Sequence, residues 1–426
     1  VKAVSNSEIL ENGLYLPDYD SNSIVNLSNF ILEHFNAEYK YRPLDLSGDI
    51  NKLEKKKKVV LLVIDAMGDI NLSKAAESIP GFQKELDIFR KRTLTSVFPS
   101  TTTAALTSLF TGVPPIEHGI LGYSLYLEEF QALTNMILFS PKSIDKYLPR
   151  DSFFQKDSYS PEKFIEQDSI FGKLSKKKVS CHVITASQFN GTALTRIHVK
   201  GCNHAVNSYA GVTEMYYKLK KELDRSKGKT FIKAYWGLAD TYAHKKGPYS
   251  KLYQYELRNI FRLFREMVLE QLTEKQREET LFLITADHGQ IETPKGTERT
   301  IHQSDYNHYS IRGPIAGEAR VAYLNVKDKT LFERNFVKDY GTDFLILNKD
   351  EAINKGLFSG SETDIDMKLF NKNISRIGDY IAIGRGKQSI FAVDHNSGKK
   401  FDSSGMLGKH GSLTKEELFV PLLIFS

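Results

Sequence analysis

The stretch that most constrains the fold is residues 55–65, KKKKVVLLVID. Its six consecutive apolar residues, Val59 to Ile64, leave no polar face, so the strand they form has to be covered on both sides. Such a strand belongs in a mostly parallel sheet with helices on both faces. Segments 179–185, 230–236 and 280–287 repeat the short apolar pattern, while 22–35, 209–224 and 253–272 show helical spacing. A helix interrupted near Pro80 is expected over 72–89, a strand over 94–98, and a last apolar strand at the chain end. From about residue 305 to 401 the alternation weakens. Short strands at 320–326 and 380–383, with turns around 356–361, suggest an inserted cap-like region. The expected division is an α/β core over 1–304, a cap over 305–400 and a return to the core over 401–426.

The chain is long enough, at 426 residues, to bury a large core, and 41% hydrophobic with 26% charged residues suits a globular protein. Part of the net charge of +6 sits in the lysine runs 55–58 and 176–178, each directly before a strand-like segment. These read as solvated strand entrances, so no stable nucleic-acid partner is expected, only a mild attraction for anionic substrates. Two cysteines, Cys181 and Cys202, exclude a disulfide scaffold and a cysteine zinc cluster but leave one bridge open. No apolar run reaches the length of a membrane span, and VKAVSNSEIL does not read as a secretory signal. The first residue is Val1 rather than methionine, which leaves room for a processed leader. The expectation is a cytoplasmic protein, with oligomeric state unspecified.

Three of the strands carry a carboxylate at or just beyond their C-terminal ends: Asp65, Asp240 and Asp287. Asp at a strand end ordinarily serves a turn. Here His244, His288 and His410 stand beside or after them. Asp240 and His244, four residues apart, would project from one face of a helix, as two ligands of one metal should. Mixed nitrogen and carboxylate donors suit zinc, with manganese or iron as alternatives. A separate segment, SVFPSTTTAALTSLFTGVPPIEHG at 96–119, has the grammar of a helix start, with Thr101, Thr102 and Thr103 ahead of an apolar run. Its threonines either cap and pack, or place a hydroxyl where a helix N-terminus favours a phosphoryl oxygen.

Together these pieces resemble the alkaline phosphatase superfamily, and within it the nucleotide pyrophosphatase/type I phosphodiesterase family. The matching segments are VVLLVIDAMG, FPSTTTAALTSLFTG with the following HG, the Asp240/His244 pair, ADHG and HGSLTKEELFVPLLIF, in the family's order. The resemblance implies an alkaline phosphatase-like sheet and two divalent ions, most simply zinc. Asp65, Thr102, Asp287 and His288 would hold one ion, and Asp240, His244 and His410 the other. It also implies Thr102 as nucleophile in the hydrolysis of a small phosphate ester or nucleotide. An asparagine commonly stands three residues after the nucleophile in this family, and here that position is Ala105. Backbone N–H groups and the hydroxyl of Thr101 or Thr103 would take its place, with Tyr123 as a candidate to stack on a base. Alternatively the substrate differs, which keeps a monoesterase or phosphonate hydrolase in view, and beyond enzymes a metal-binding protein without turnover. GRGKQS at 384–389 is close to a P-loop ending, but Ile381 and Gln388 stand where glycine and Ser/Thr are required.

Overall fold

A computed structural model describes residues 9–11, 13–142, 149–154, 160–360, 364–393 and 405–426. Its main sheet has strands β1 (Lys58–Ile64), β2 (Arg90–Thr95), β3 (Ser180–Ala186), β4 (Asn207–Tyr209), β5 (Thr230–Trp236), β6 (Thr280–Thr285) and β7 (Phe419–Phe425), in spatial order β2-β7-β6-β1-β5-β3-β4. Strand β1, apolar from Val59 to Ile64, lies in the middle, every residue buried, between the parallel neighbours β5 and β6. Only β7 runs against the rest. One face of the sheet carries helices α1 (Ile24–His34) and α2 (Thr102–Thr111) together with Ile170–Lys176 and Ala193–His198. The other carries Asp69–Ser78, Val212–Arg225 and Lys251–Phe264.

Parallel register is what gathers the site. Ile64 pairs with Trp236 and Val63 with Thr285, so β1, β5 and β6 end level with one another. The chain therefore leaves all three strands at one sheet edge, the place where open α/β sheets bind ligands.

Two local departures from the sequence reading have physical causes. The strand expected over 94–98 starts earlier, at Arg90, because β2 is an edge strand whose basic residues lie in solvent and mask the alternation. The helix expected over 253–272 runs as Lys251–Phe264 and then widens into a π turn, Arg265–Leu269. Cys181 and Cys202 are free thiols.

A second, wholly antiparallel seven-stranded sheet packs beside the first. It joins Phe344–Asn348, Tyr380–Gly384, Val321–Val326 and Ile311–Glu318 to Ser124–Leu127, Ala132–Asn135 and Ser140–Pro141. The lobe is thus not confined to 305–400: the segment just after α2 supplies its other half. The seam is Gly317 opposite Ser124. At φ +94°, a Cβ on Gly317 would stand 2.1 Å from the Val321 carbonyl oxygen, so only glycine closes this junction. Among the described residues no helix is long and apolar enough to cross a membrane.

Candidate metal and nucleophile site

Asp65 follows β1 directly, and its N–H donates to the Trp236 carbonyl at 2.9 Å. Asp287 and His288 follow β6, with Asp287 Oδ1 accepting from the Ala66 N–H at 3.2 Å and the His288 N–H at 3.0 Å. The third carboxylate comes from helix α3 (Leu238–Lys246), which starts as β5 ends and holds Asp240 and His244 on one face, 3.2 Å apart. His410 arrives from the loop before β7, its Nε2 3.9 Å from Asp240 Oδ1. The sequence pattern around His288 needs its glycine: a Cβ on Gly289 would lie 2.1 Å from the Glu416 carbonyl oxygen.

All three histidines are held alike. His288 Nδ1 lies 3.0 Å from the Gly289 carbonyl, His244 Nδ1 2.7 Å from Gly408 and His410 Nδ1 3.1 Å from Ser100. A carbonyl only accepts, so each Nδ1 carries the proton and each Nε2 lone pair faces the cluster. That is how ligand imidazoles are oriented in metal centres. His288 Nε2 stands 3.0 Å from Thr102 Oγ1, 3.5 Å from Asp65 Oδ1 and 3.6 Å from Asp287 Oδ2. Those two carboxylate oxygens are buried without a hydrogen-bond partner. Donor atoms of Asp240, His244 and His410 come within 4.8 Å of one another, and so do those of Asp65, Asp240 and His288. The two groups therefore abut, sharing Asp240. Among the described residues no Lys or Arg forms an ion pair with any of the three carboxylates. A set of convergent lone pairs with orphaned carboxylate oxygens fits divalent cations.

Burial governs the electrostatics. It raises Asp65 well above the usual carboxylate range, reinforced by Asp287 and Asp240, and raises Asp287 against the pull of His288. At Asp240 burial is outweighed by the imidazoles of His244, His410 and His288, which hold the carboxyl far below its usual range. His244 is raised, the Asp240 charge overcoming burial, while burial and the other two imidazoles push His410 well down.

Of the three threonines only one presents its hydroxyl. Thr101 is the N-cap of α2 and is buried; Thr103 is buried with its hydroxyl donated to the Gly122 carbonyl at 2.9 Å. Thr102, the first helical residue, is partly exposed beside His288. Thr103 therefore does not reach the site surface; it fixes the 122–123 segment beside α2. Tyr123 is half-buried, and its hydroxyl accepts from Asn135 Nδ2 at 2.8 Å. Ala105 is wholly buried in the core.

Sequence reasoning missed three participants. The Tyr235 hydroxyl donates to Asp65 Oδ2. Gln290 donates to Asp240 Oδ1 while Asn71 clamps the Gln290 backbone on both sides, at 3.0 and 3.1 Å. Glu318, from the second sheet, lies 3.7 Å from His410 Nδ1, and burial pushes its carboxyl up to about 8. Tyr235 and Gln290 adjoin recognised motifs and were within reach of the sequence; Glu318 carries no local signal. The GRGKQS turn does the opposite of a P-loop. Its Gly384, Gly386 and Gln388 carbonyls accept from the Arg320 guanidinium, so the turn holds a cation.

Comparison with known structures finds the same architecture. Phosphonoacetate hydrolase from Sinorhizobium meliloti 1021, in complex with phosphonoformate, aligns with a TM-score of 0.60 at 16% identity, covering 86% of this chain and 89% of that one. Human ectonucleotide pyrophosphatase/phosphodiesterase 5 aligns with a TM-score of 0.58 at 17% identity, over 86% and 87% of the two chains. Its murine counterpart gives 0.57 at 16% identity over the same shares. At such identities the likeness establishes the fold. No curated protein sequence matches. The family profile described as type I phosphodiesterase / nucleotide pyrophosphatase matches residues 59–413. The chain belongs to this family of hydrolases.

Proposed function

We propose that this type I phosphodiesterase/nucleotide pyrophosphatase family member hydrolyses phosphodiester or phosphoanhydride bonds in a small phosphate ester or nucleotide, with Thr102 as nucleophile. The observation that carries the reading is the placement of Thr102. It is the one partly exposed threonine at the N-terminus of α2, and its hydroxyl meets His288 Nε2, which also faces orphaned oxygens of Asp65 and Asp287.

Asp65, Thr102, Asp287 and His288 would hold one divalent cation, and Asp240, His244 and His410 a second; the mixed N/O donor set suits zinc. Bound there, such ions lower the pKa of a hydroxyl and neutralise charge on a transferring phosphoryl group and its leaving oxygen. The chain's own part is positional. First-turn N–H groups of α2, not consumed within the helix, meet the phosphoryl oxygens. The Thr102 hydroxyl would give up its proton and its oxygen bond to phosphorus as the bond to the leaving alcohol or nucleotide breaks in line, the leaving oxygen taking a proton. Water would then add to phosphorus as the bond to Thr102 breaks, one of its protons returning to the threonine oxygen. Thr103 acts through Gly122, setting Tyr123 along the substrate path. The carbonyl partners of the three Nδ1–H groups keep the rings from turning.

A second reading, a monoesterase or phosphonate hydrolase, is favoured by Ala105, which offers a phosphate oxygen nothing. Purified protein supplied with zinc should turn over bis-p-nitrophenyl phosphate more efficiently than p-nitrophenyl phosphate or phosphonoacetate. The reverse order would move the assignment to the second reading. Thr102→Ala should lose roughly 10³-fold or more in kcat, and full activity in that variant would sink the nucleophile assignment.

A further inference from the structure

We propose that Glu318 is a positioning residue that sets His410 for cation binding and ties it to the start of the nucleophile helix. The inference rests on the two-cation reading above and assigns a function to a residue outside the family's motifs.

Glu318 ends the strand Ile311–Glu318, and its side chain is 6% exposed. Oε2 stands 3.7 Å from His410 Nδ1, on the side of the ring away from Asp240, while Oε1 is buried with no hydrogen-bond partner. The Thr101 hydroxyl and the Tyr123 N–H lie against the same carboxylate. Gly411 makes the approach possible: a Cβ there would come within 2.7 Å of the Glu318 carboxyl group. The backbone next to His410 thus closes directly over the carboxylate.

A carboxylate removed from water needs a cationic partner or a full set of donors. Among the described residues Glu318 forms no ion pair with Lys or Arg; the ring that faces it is His410. The His410 Nδ1–H is given to the Ser100 carbonyl at 3.1 Å, and the Glu318 carboxyl group 3.7 Å behind the same nitrogen reinforces that pull and backs the ring, which makes its other nitrogen a stronger donor. Here that other nitrogen is Nε2, which faces Asp240. Because Thr101 is the N-cap immediately before Thr102, one side chain also registers His410 against the nucleophile.

The test is zinc competition against a chromogenic chelator, using purified full-length protein stripped of metal. The wild type should take up two equivalents. The isosteric Glu318→Gln should hold one with unchanged affinity and the other 10- to 100-fold more weakly, with Glu318→Asp falling between. In a His410→Ala background the Glu318→Gln change should have no further effect, because Glu318 acts through that ring. Thermal melting of the stripped proteins separates this from a general loss of structure, since Gln keeps the shape of the side chain. Wild-type affinity at both sites in Glu318→Gln overturns the proposal, as does equal weakening in the His410→Ala background. Fewer than two equivalents in the wild type instead overturns the two-cation reading, and the proposal with it.

Discussion

Arg320→Met tests how the second sheet supports the candidate metal site. Arg320 and Glu417 form an ion pair in which both side chains are 0% exposed, with paired contacts of 3.0 Å (Nε to Oε1) and 2.9 Å (Nη2 to Oε2). The Glu417 carboxylate also accepts from the Ser412 N–H at 3.0 Å and the Thr414 hydroxyl at 2.7 Å, and the Glu417 carbonyl accepts from the Gly289 N–H at 2.8 Å. The pair is therefore the brace between the second sheet and the two loops bearing His410 and His288. Removing the guanidinium leaves a buried carboxylate without its counter-charge, which costs about 3–5 kcal/mol. It also strips the carbonyls of Gly384, Gly386 and Gln388 of their donor, at about 1 kcal/mol each where water does not enter. With 426 residues the unfolding entropy is about 0.9 kcal/mol/K, so a loss of about 5 kcal/mol lowers Tm by about 5–6 °C. Differential scanning calorimetry measures the shift. Arg320→Met/Glu417→Gln should recover about 2–3 kcal/mol of it, because Gln keeps an acceptor for Ser412 while discarding the unpaired charge. A double variant no more stable than Arg320→Met would refute the reasoning, since the cost would then lie elsewhere than in the buried charge.

Other perturbations follow from the same geometry. Gly289→Ala forces a methyl group against the Glu416 carbonyl oxygen and the Gly68 backbone, so zinc uptake should fall and stability drop by about 1–3 kcal/mol, measured by chelator competition and urea melts. Burial pushes the Lys233 amine down to about 7, against about 10.4 in an unfolded chain. Between those values the unfolded chain keeps a proton the folded chain has released, so this group makes stability rise with pH from about 7 to 10, and its penalty is full below 7. The rings of Phe110 and Tyr235, 4.6 and 5.1 Å from the ammonium, offset part of that penalty. Lys233→Met should thus gain about 1–3 kcal/mol at pH 7 and below and flatten the rise; an unchanged pH slope would count against the assignment. Dialysis against a chelator should abolish turnover of bis-p-nitrophenyl phosphate and added zinc restore it, whereas full activity after metal removal would contradict the cation sites.

The core was legible because its signals are local and periodic. A six-residue apolar run rich in Val and Ile reads as an inner strand, and parallel pairing brings Asp65, Asp240 and Asp287 to one edge. The second sheet was not legible in this way. Its seam joins Gly317 to Ser124 across nearly two hundred residues, and neither strand shows a pattern naming the other. Glu318 went unseen for the same reason: one residue past that seam, its meaning comes from His410 and Thr101, which belong to distant segments.

Thr101, Thr102 and Thr103 show where spacing ends and packing begins. A helix advances about 100° per residue, so three consecutive side chains at its start point in three directions. At most one can face the sheet edge where the strands end. The residue types alone leave the three chemically equivalent, and only the family resemblance singles out Thr102. In the fold Thr101 turns toward the second sheet and Glu318, Thr103 turns inward to the Gly122 carbonyl, and Thr102 is left partly exposed against His288. The two flanking threonines thus act by occupying the other directions: each is committed to a buried partner, which fixes the rotation of α2 and leaves one hydroxyl aimed at the cluster. Replacing Thr103 by Val, which keeps the shape but frees the Gly122 carbonyl, should therefore reduce kcat without touching zinc affinity, and a fall in zinc uptake instead would show that the rotation of α2 is set by the ligands.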